Sequence, residues 1–435
     1  MLDIELIRKE PEIIKKEIAR KGADPALIDE VILIDRNRRR ILSELERAQS
    51  ELNKASKDIA KLHGQQKIDA INDASSWSAK VKELKPEADV AQKEYTEIML
   101  QVPNPPLPDV VDGNSDKDNK VNRTVGKPKK FAFKVKDHVA LGEDLDLIDI
   151  ERAGKISGSR FYFLKNELVQ LEFALVQYAL DILIKEGFSP MIPPILLNRE
   201  TMTGAGYLPT GEEEIYKNQD DLFLAGTSEQ PLAGYHKDEI LEKNVLPLRY
   251  AGFSSCFRRE AGSHGKDVRG ILRTHQFDKV EMFSFCEPKD SKKEHEFLVS
   301  LEEKIVSGLG LPYQIIDICA ADLGAPAAKK YDLEIWMPGQ DQYRETHSCS
   351  NCTDFQARRL NIRYRPGGSP NSRDDKPASS AVGASKIAVL HTLNGTAIAI
   401  GRMLIAIMEN GQTKSGSIEI PKALHKYLPY KEIRK

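Results

Sequence analysis

Residues 249–283 read RYAGFSSCFRREAGSHGKDVRGILRTHQFDKVEMF, and the fold turns on how this stretch is taken. Phe257-Arg258-Arg259-Glu260 closes one β-like run, a loop rich in glycine and charge follows, and from His275 to Met282 a second alternating run begins. The pattern predicts a hairpin. Such a hairpin can hold a guanidinium, an aromatic face and a carboxylate toward one pocket. It can equally be a charged ribbon whose Arg and Lys are solvated, and the stretch alone leaves both readings open.

Two further segments stand out downstream: 344–359, RETHSCSNCTDFQARR, and 391–410, HTLNGTAIAIGRMLIAIMEN. In the second, a glycine-punctuated turn is expected to lead into an apolar helix with one arginine, Arg402, in its first turns. A lone charge there is either paired or placed to meet an anion. An amphipathic helix is expected at about Glu167–Lys185, with short β-rich runs at Leu222–Leu224, Leu248–Ala251, Val280–Phe285 and Tyr313–Ile318. Strands with helices between and after them predict an α+β or α/β body on one large sheet.

Upstream the texture changes. Val31, Ile34, Ile41, Leu45, Ala48, Leu52, Ala55, Ile59 and Leu62 repeat at steps of three and four, with Arg38 filling one slot, as in a coiled-coil seam. A second series runs Trp77, Val81, Leu84, Ala88, Ala91, Tyr95 and Ile98, with Pro86 inside it, where a kink is expected. A polar turn from His63 through Gln66 onward would fold the two back as an antiparallel hairpin. Arg and Lys on the first helix alternate with acids, so both a spacer or dimerisation coiled coil and a basic binding face stay open. Pro103-Asn104-Pro105-Pro106-Leu107-Pro108 ends the helical pattern. The border placed there divides the chain into a helical arm, 1–104, and a body, 105–435.

Composition narrows the function. The chain has 435 residues, with Lys+Arg 64 against Asp+Glu 66 and a net charge of −2. Contact with nucleic acid would therefore have to come from local basic surfaces. Five cysteines, an odd number, do not suggest a disulfide scaffold and fit a reducing, cytoplasmic setting. The opening MLDIELIRKEPEII has no signal-peptide character, and the longest apolar run, Thr396 to Met408, is interrupted by Arg402 and falls short of the ~20 residues of a spanning helix, so no membrane association is expected. There is no GxxxxGK[ST], no GxGxxG opening a helix, and no HExxH. Cys349 and Cys352 have CxxC spacing without a second pair, so no zinc is expected and two partly buried thiols near a turn are the simpler reading. His264, His275, His347 and His391 stand isolated, and residues 366–386 read as a mobile surface insertion.

Taken together, the residues resemble a known family. The 249–283 hairpin looks like motif 2 of class II aminoacyl-tRNA synthetases, and Gly401-Arg402 in its helix looks like motif 3. More narrowly, Thr227-Ser228-Glu229, Phe257 to Gly262, His275 to Glu281, Glu345 to Ser350 and Leu393-Asn394-Gly395-Thr396 resemble the seryl-tRNA synthetase family. So do the helix pair, the PNPP border and Leu141-Gly142-Glu143 with Ser157 to Phe161. The resemblance implies an α+β fold, with an antiparallel-sheet catalytic core behind an antiparallel coiled-coil arm.

It also implies chemistry: serine activated with ATP to seryl-adenylate, then passed to tRNA(Ser), and to tRNA(Sec) where a host has one. Arg258, Glu345 and Arg402 would be catalytic. Arg258 would grip the α-phosphate and the serine carboxylate, Phe277 would stack under adenine, and Arg402 would hold the γ-phosphate. Arg259, Glu260, Thr274, Thr346, His347 and Ser348 would complete the ATP contacts, with Glu345 and Ser348 ligating Mg²⁺. Glu281 would meet the serine ammonium, with Thr227, Ser228 and Glu229 in the same pocket and Thr396 at the hydroxyl. The plainer alternative for Glu281 is a strand-edge carboxylate paired with Lys279. His347 stands where serine is common in the family, which leaves open whether only its backbone contributes. The arm implies a grip on the long variable arm of tRNA(Ser) held at the other subunit's site, hence a homodimer. A ligase loading a carrier protein is the competing enzyme, but such relatives lack the long arm. A non-catalytic tRNA-binding paralogue is the other rival, and intact Arg258, Glu281, Glu345 and Arg402 argue against it.

Overall fold

A computed structural model describes residues 1–261, 267, 269–367 and 387–435. The chain divides into two compact units, Met1–Pro103 and Asn104–Lys435.

In the first unit, helices α1 (Ile4–Lys9) and α2 (Pro11–Ala19) precede the long pair α3 (Ala26–Ile59) and α4 (Gly64–Gln101). The two short helices were not anticipated, although their signals are local: Asp3 caps the amide of Glu5, and Pro11 stands at the first position of α2. Ile7, Ile14 and Ile18 pack with Ile28, Val31, Ile98 and Met99. The seam is buried at Ile41, Leu45 and Ala48 against Leu84, Ala88 and Ala91, but Leu52, Ala55 and Ile59 are only half-buried. Arg38 fills its slot because it has three partners: its guanidinium lies 4.0 Å from the Tyr95 ring centroid, and it donates to Gln92 at 3.0 Å and to Asp35 at 3.2 Å. Asp35, 1% exposed, also accepts from Arg8 and Arg39. Burial pushes its carboxyl up, but the Arg8 and Arg38 hydrogen bonds outweigh that and hold it below the usual carboxylate range.

One expectation is corrected here. The turn is confined to residues 60–63, and α4 already begins at Gly64, because a mostly exposed polar stretch can be helical without an apolar stripe to announce it. Pro86 does not interrupt α4; it lies exposed, so water can serve the carbonyl left without a donor, while Leu84 and Ala88 anchor the helix on either side.

The second unit is built on one sheet of eight strands: β1 (Lys120–Val125), β2 (Ser189–Met191), β3 (Leu248–Phe257), β4 (Gln276–Cys286), β5 (Tyr313–Asp317), β6 (Lys329–Met337), β7 (Gln342–Asn351) and β8 (His391–Ala399). Their order is β1-β5-β6-β7-β8-β4-β3-β2. Every pairing among them is antiparallel except β2 with β3. This settles the architecture as α+β. Helices α5 (Glu167–Lys185), α6 (Ser291–Gly308) and α7 (Ile400–Gly411) contribute Leu171, Leu175, Leu298, Ile305, Met403 and Leu404 to the main core, which also takes in Val280, Met282 and Leu333 from the strands.

The helix at Glu167–Lys185 is where the pattern put it. Leu222–Leu224 is a strand, but it pairs with Leu196–Asn198 in a separate two-stranded ribbon outside the large sheet. The glycine-punctuated turn expected before the Arg402 helix is instead the strand β8. Residues 368–386, most of the expected surface insertion, and Gly262 and His264 lie outside the described residues.

Candidate active site

β3 and β4 pair from Leu248 opposite Phe285 to Phe257 opposite Gln276. Alternation along β4 sets Phe277, Lys279 and Glu281 on one face, while Val280 and Met282 turn to the helices behind. All three line a cavity of about 650 Å³. Arg258, one residue past β3, lines it too; its guanidinium lies 5.3 Å from the Phe277 ring centroid, and its Nε donates to the Gly226 carbonyl at 3.2 Å. The guanidinium is thereby aligned before any ligand enters.

β7, β8 and α7 supply more of the wall: Glu345, Thr346 and Ser348, then Asn394 and Thr396, then Arg402. Arg402 Nη1 donates to the Glu345 carbonyl at 2.9 Å and lies 3.3 Å from its Oε1. The Glu345 side chain is 46% exposed toward the open cavity. Desolvation would raise its pKa, but Arg402, Lys330 and Arg258 outweigh it and hold the carboxyl below its ordinary value. Next to Arg402, a side chain at Gly401 would come within 3.2 Å of the Ile271 carbonyl, so glycine allows the hairpin backbone to lie against the start of α7.

Deeper in, Lys279 Nζ and Glu281 Oε2 are 2.5 Å apart, and Thr396 Oγ1 lies 3.5 Å from the same oxygen. The ion pair with Lys279 that the plainer reading supposed is therefore present. It is not at a strand edge, because β4 lies between β8 and β3, and both of its side chains face the cavity. Glu229 is buried beside them and accepts from Tyr207 Oη at 2.7 Å and Gln356 Nε2 at 2.8 Å. Burial first, then repulsion by Glu281, pushes its carboxyl up to about 7.

Thr227, Glu260 and Thr274 also line the cavity. Three expected contacts do not. Ser228 is fully buried, with its hydroxyl 2.7 Å from Ser254 Oγ under β3. Arg259 is outside the wall, its backbone amide bonded to the Glu214 carbonyl at 2.9 Å. His347 is 1% exposed, 2.7 Å from Thr346 Oγ1 and 3.1 Å from the Ala397 carbonyl. A register shift between Leu333 and Glu334 in the β6–β7 pairing puts Glu345, Thr346 and Ser348 on the cavity and His347 behind it. Cys349 and Cys352 are buried and form no disulfide, and they are more completely enclosed than the sequence suggested.

The pattern also missed residues. Lys330 lines the cavity and pairs with Asp332 at 3.3 Å. Asp267 in the hairpin loop pairs with Arg344, and the Ile271 amide donates to His138 Nε2 at 3.3 Å, with His138 Nδ1 3.2 Å from Glu409. The alternation of Lys330 with Asp332, like that of Lys279 with Glu281, is local to one strand; the Asp267, Ile271 and His138 contacts join segments far apart in the chain.

Residues 1–106 match the family model of the seryl-tRNA synthetase N-terminal domain, and residues 213–411 match that of the tRNA synthetase class II core domain (G, H, P, S and T). A serine--tRNA ligase of Dictyoglomus turgidum is 46% identical over 438 residues, covering 100% of this chain and 99% of its own. The chain belongs to the seryl-tRNA synthetase family. The fold of a seryl-tRNA synthetase from Pyrococcus horikoshii, solved with ATP, superposes with a TM-score of 0.89 at 41% identity over 100% of this chain and 99% of that one. A cytoplasmic serine-tRNA ligase from Naegleria fowleri, solved with AMP, gives 0.85 at 34% identity, again over 100% and 99%. As a seryl-tRNA synthetase the chain is an aminoacyl-tRNA ligase with a class II core. Among the described residues no helix is long and apolar enough to cross a membrane.

Proposed function

We propose that this chain activates L-serine with ATP to seryl-adenylate and transfers the seryl group to tRNA(Ser). The observation that carries the reading is that Arg258 and Arg402, from a β-hairpin and from a helix, line one cavity together with Glu345 and the Lys279–Glu281 pair. A serine carboxylate oxygen attacks the α-phosphorus and pyrophosphate leaves; the carboxylate is already ionised at neutral pH, so no general base is needed. Arg258 meets charge at the α-phosphate, Phe277 supports adenine, and Arg402 holds the terminal phosphate. Positioning and charge stabilisation then carry most of the acceleration.

Glu281 meets the serine ammonium, with Thr227 and Glu229 in the same subsite and Thr396 toward the hydroxyl. Such partners discriminate against alanine, which would leave them unpaired. The carboxylate of Glu345 and the hydroxyl of Ser348 are hard oxygen donors on the cavity wall, a set suited to Mg²⁺. Bound there, the ion would neutralise charge on the phosphates. The helical arm, 1–104, selects tRNA by contacts to phosphate and sugar, and the working enzyme is a cytoplasmic homodimer.

The test is exchange of labelled pyrophosphate into ATP by the purified protein. Serine-dependent exchange is expected, and a rate equal to the control without amino acid overturns the proposal. Sedimentation of the full chain reads the dimer directly.

A further inference from the structure

Glu229 is held from behind by a residue that takes no part in the proposed reaction. Gln356, on the short helix Phe355–Arg359, is wholly buried and does not line the cavity. Its Nε2 donates to Glu229 Oε1 at 2.8 Å and to the Ala205 carbonyl at 3.0 Å, and its Oε1 accepts from Thr392 Oγ1 at 2.7 Å. These partners fix which way the amide points, because the Ala205 oxygen can only accept and the Thr392 hydroxyl supplies a proton to the amide oxygen. Tyr207 donates to the other carboxylate oxygen of Glu229 at 2.7 Å. Both oxygens are thus engaged by uncharged donors.

We infer that Gln356 is a positioning residue for the amino-acid subsite: locked by Thr392 and Ala205, its amide keeps the Glu229 carboxylate oriented and available to the substrate ammonium. The inference rests on the placement of Glu229 in the amino-acid subsite proposed above, and adds to it that Glu229 meets the ammonium together with Glu281. The charged and titratable groups that face Glu229 are Glu281 and Lys279 on β4 and Tyr207 after the helix Arg199–Ala205. Burial and Glu281 favour the protonated acid, whereas Tyr207, Gln356 and Lys279 favour the anion. Removing the Gln356 amide therefore shifts the balance toward the acid, which binds an ammonium less well. Thr392 acts one step further back, by denying the amide the freedom to flip its oxygen toward the carboxylate.

The experiment uses the full-length protein and serine-dependent ATP–pyrophosphate exchange, with serine and ATP varied separately between about pH 6 and pH 8. Gln356→Met is expected to raise KM for serine about tenfold, the scale of one hydrogen bond to a charged group, with KM for ATP nearly unchanged. The acid limb of kcat/KM for serine moves to higher pH. Thr392→Val follows in the same direction and Thr392→Ser restores the parent profile; this pair carries the test if Gln356→Met does not fold. Unchanged serine KM and acid limb in Gln356→Met and Thr392→Val, or equal increases for serine and ATP, would overturn the inference. Glu229→Gln separates the two layers: if it leaves serine KM at the parent value, the subsite reading of Glu229 itself is wrong and the inference goes with it.

Discussion

Arg402 occupies a contact that an incoming phosphate would contest, since its guanidinium already holds the backbone and approaches the carboxylate of Glu345. Arg402→Ala is expected to lower the pyrophosphate exchange rate about 100-fold or more, and Arg402→Lys to recover only part of it, because an ammonium cannot reproduce the planar fork. Steady-state exchange assays check both. A second expectation concerns histidines that the chemistry does not use. Burial lowers the pKa of His347 to about 3 and of His295 to about 4, against about 6.5 unfolded. Between those values the unfolded chain binds protons that the folded one refuses, so stability falls as pH drops below about 6.5. The urea midpoint should decline from neutral to mildly acid pH, and His347→Gln should flatten that decline. At this scale the sequence was most legible where function is local. Arg258 and Phe277 belong to one hairpin, and both line the cavity. His347 turns away because the face a strand residue takes depends on parity, and the β6–β7 register shift changes parity without any sign in the letters; Ser228 and Arg259 lie outside the strands, where no periodicity fixes the direction of a side chain.

Among the elements, the long helices were legible from their seams and the β-hairpin from alternation, because both periodicities are set by burial on one face. Glycine was misread. Gly395 suggested a turn, whereas a Cβ there would lie 3.2 Å from Glu302 Oε1 and 3.3 Å from Cys349 Sγ; at Gly401, which lies in the helix as expected, a Cβ would press on Ile271. In a strand and at a helix start these glycines permit close approach, and the crowding atoms come from distant segments. Gln356 was invisible for the same reason, its partners being 127, 151 and 36 residues away. Pro86 gives a test at this level. It sits exposed within α4 and removes a helical hydrogen bond, so Pro86→Ala should stabilise the arm, by about 1–3 kcal/mol. Hydrogen exchange of amides in 78–90 on the full chain measures it, and no gain in protection would mean that α4 is already relaxed around the proline.

For the whole molecule, the chain divides into Met1–Pro103 and Asn104–Lys435, and the proposed function gives each unit its own work. Every cavity residue named above lies in the second unit. Deleting residues 26–101 should leave serine-dependent exchange nearly intact and abolish tRNA charging; equal loss of both would show that the arm is required for folding. The order of the large sheet has a consequence for how the protein is made. β8, the last of the eight strands to be synthesised, is inserted between β7 and β4 and so joins β1-β5-β6-β7 to β4-β3-β2. Until residue 399 has left the ribosome, a nascent chain carries two open half-sheets whose bare rims, at 349–351 and 279–286, have amides and carbonyls with nothing to bind. Release of the C-terminal tenth is therefore the moment at which the molecule stops being adhesive, and messages broken shortly before it should yield aggregating fragments.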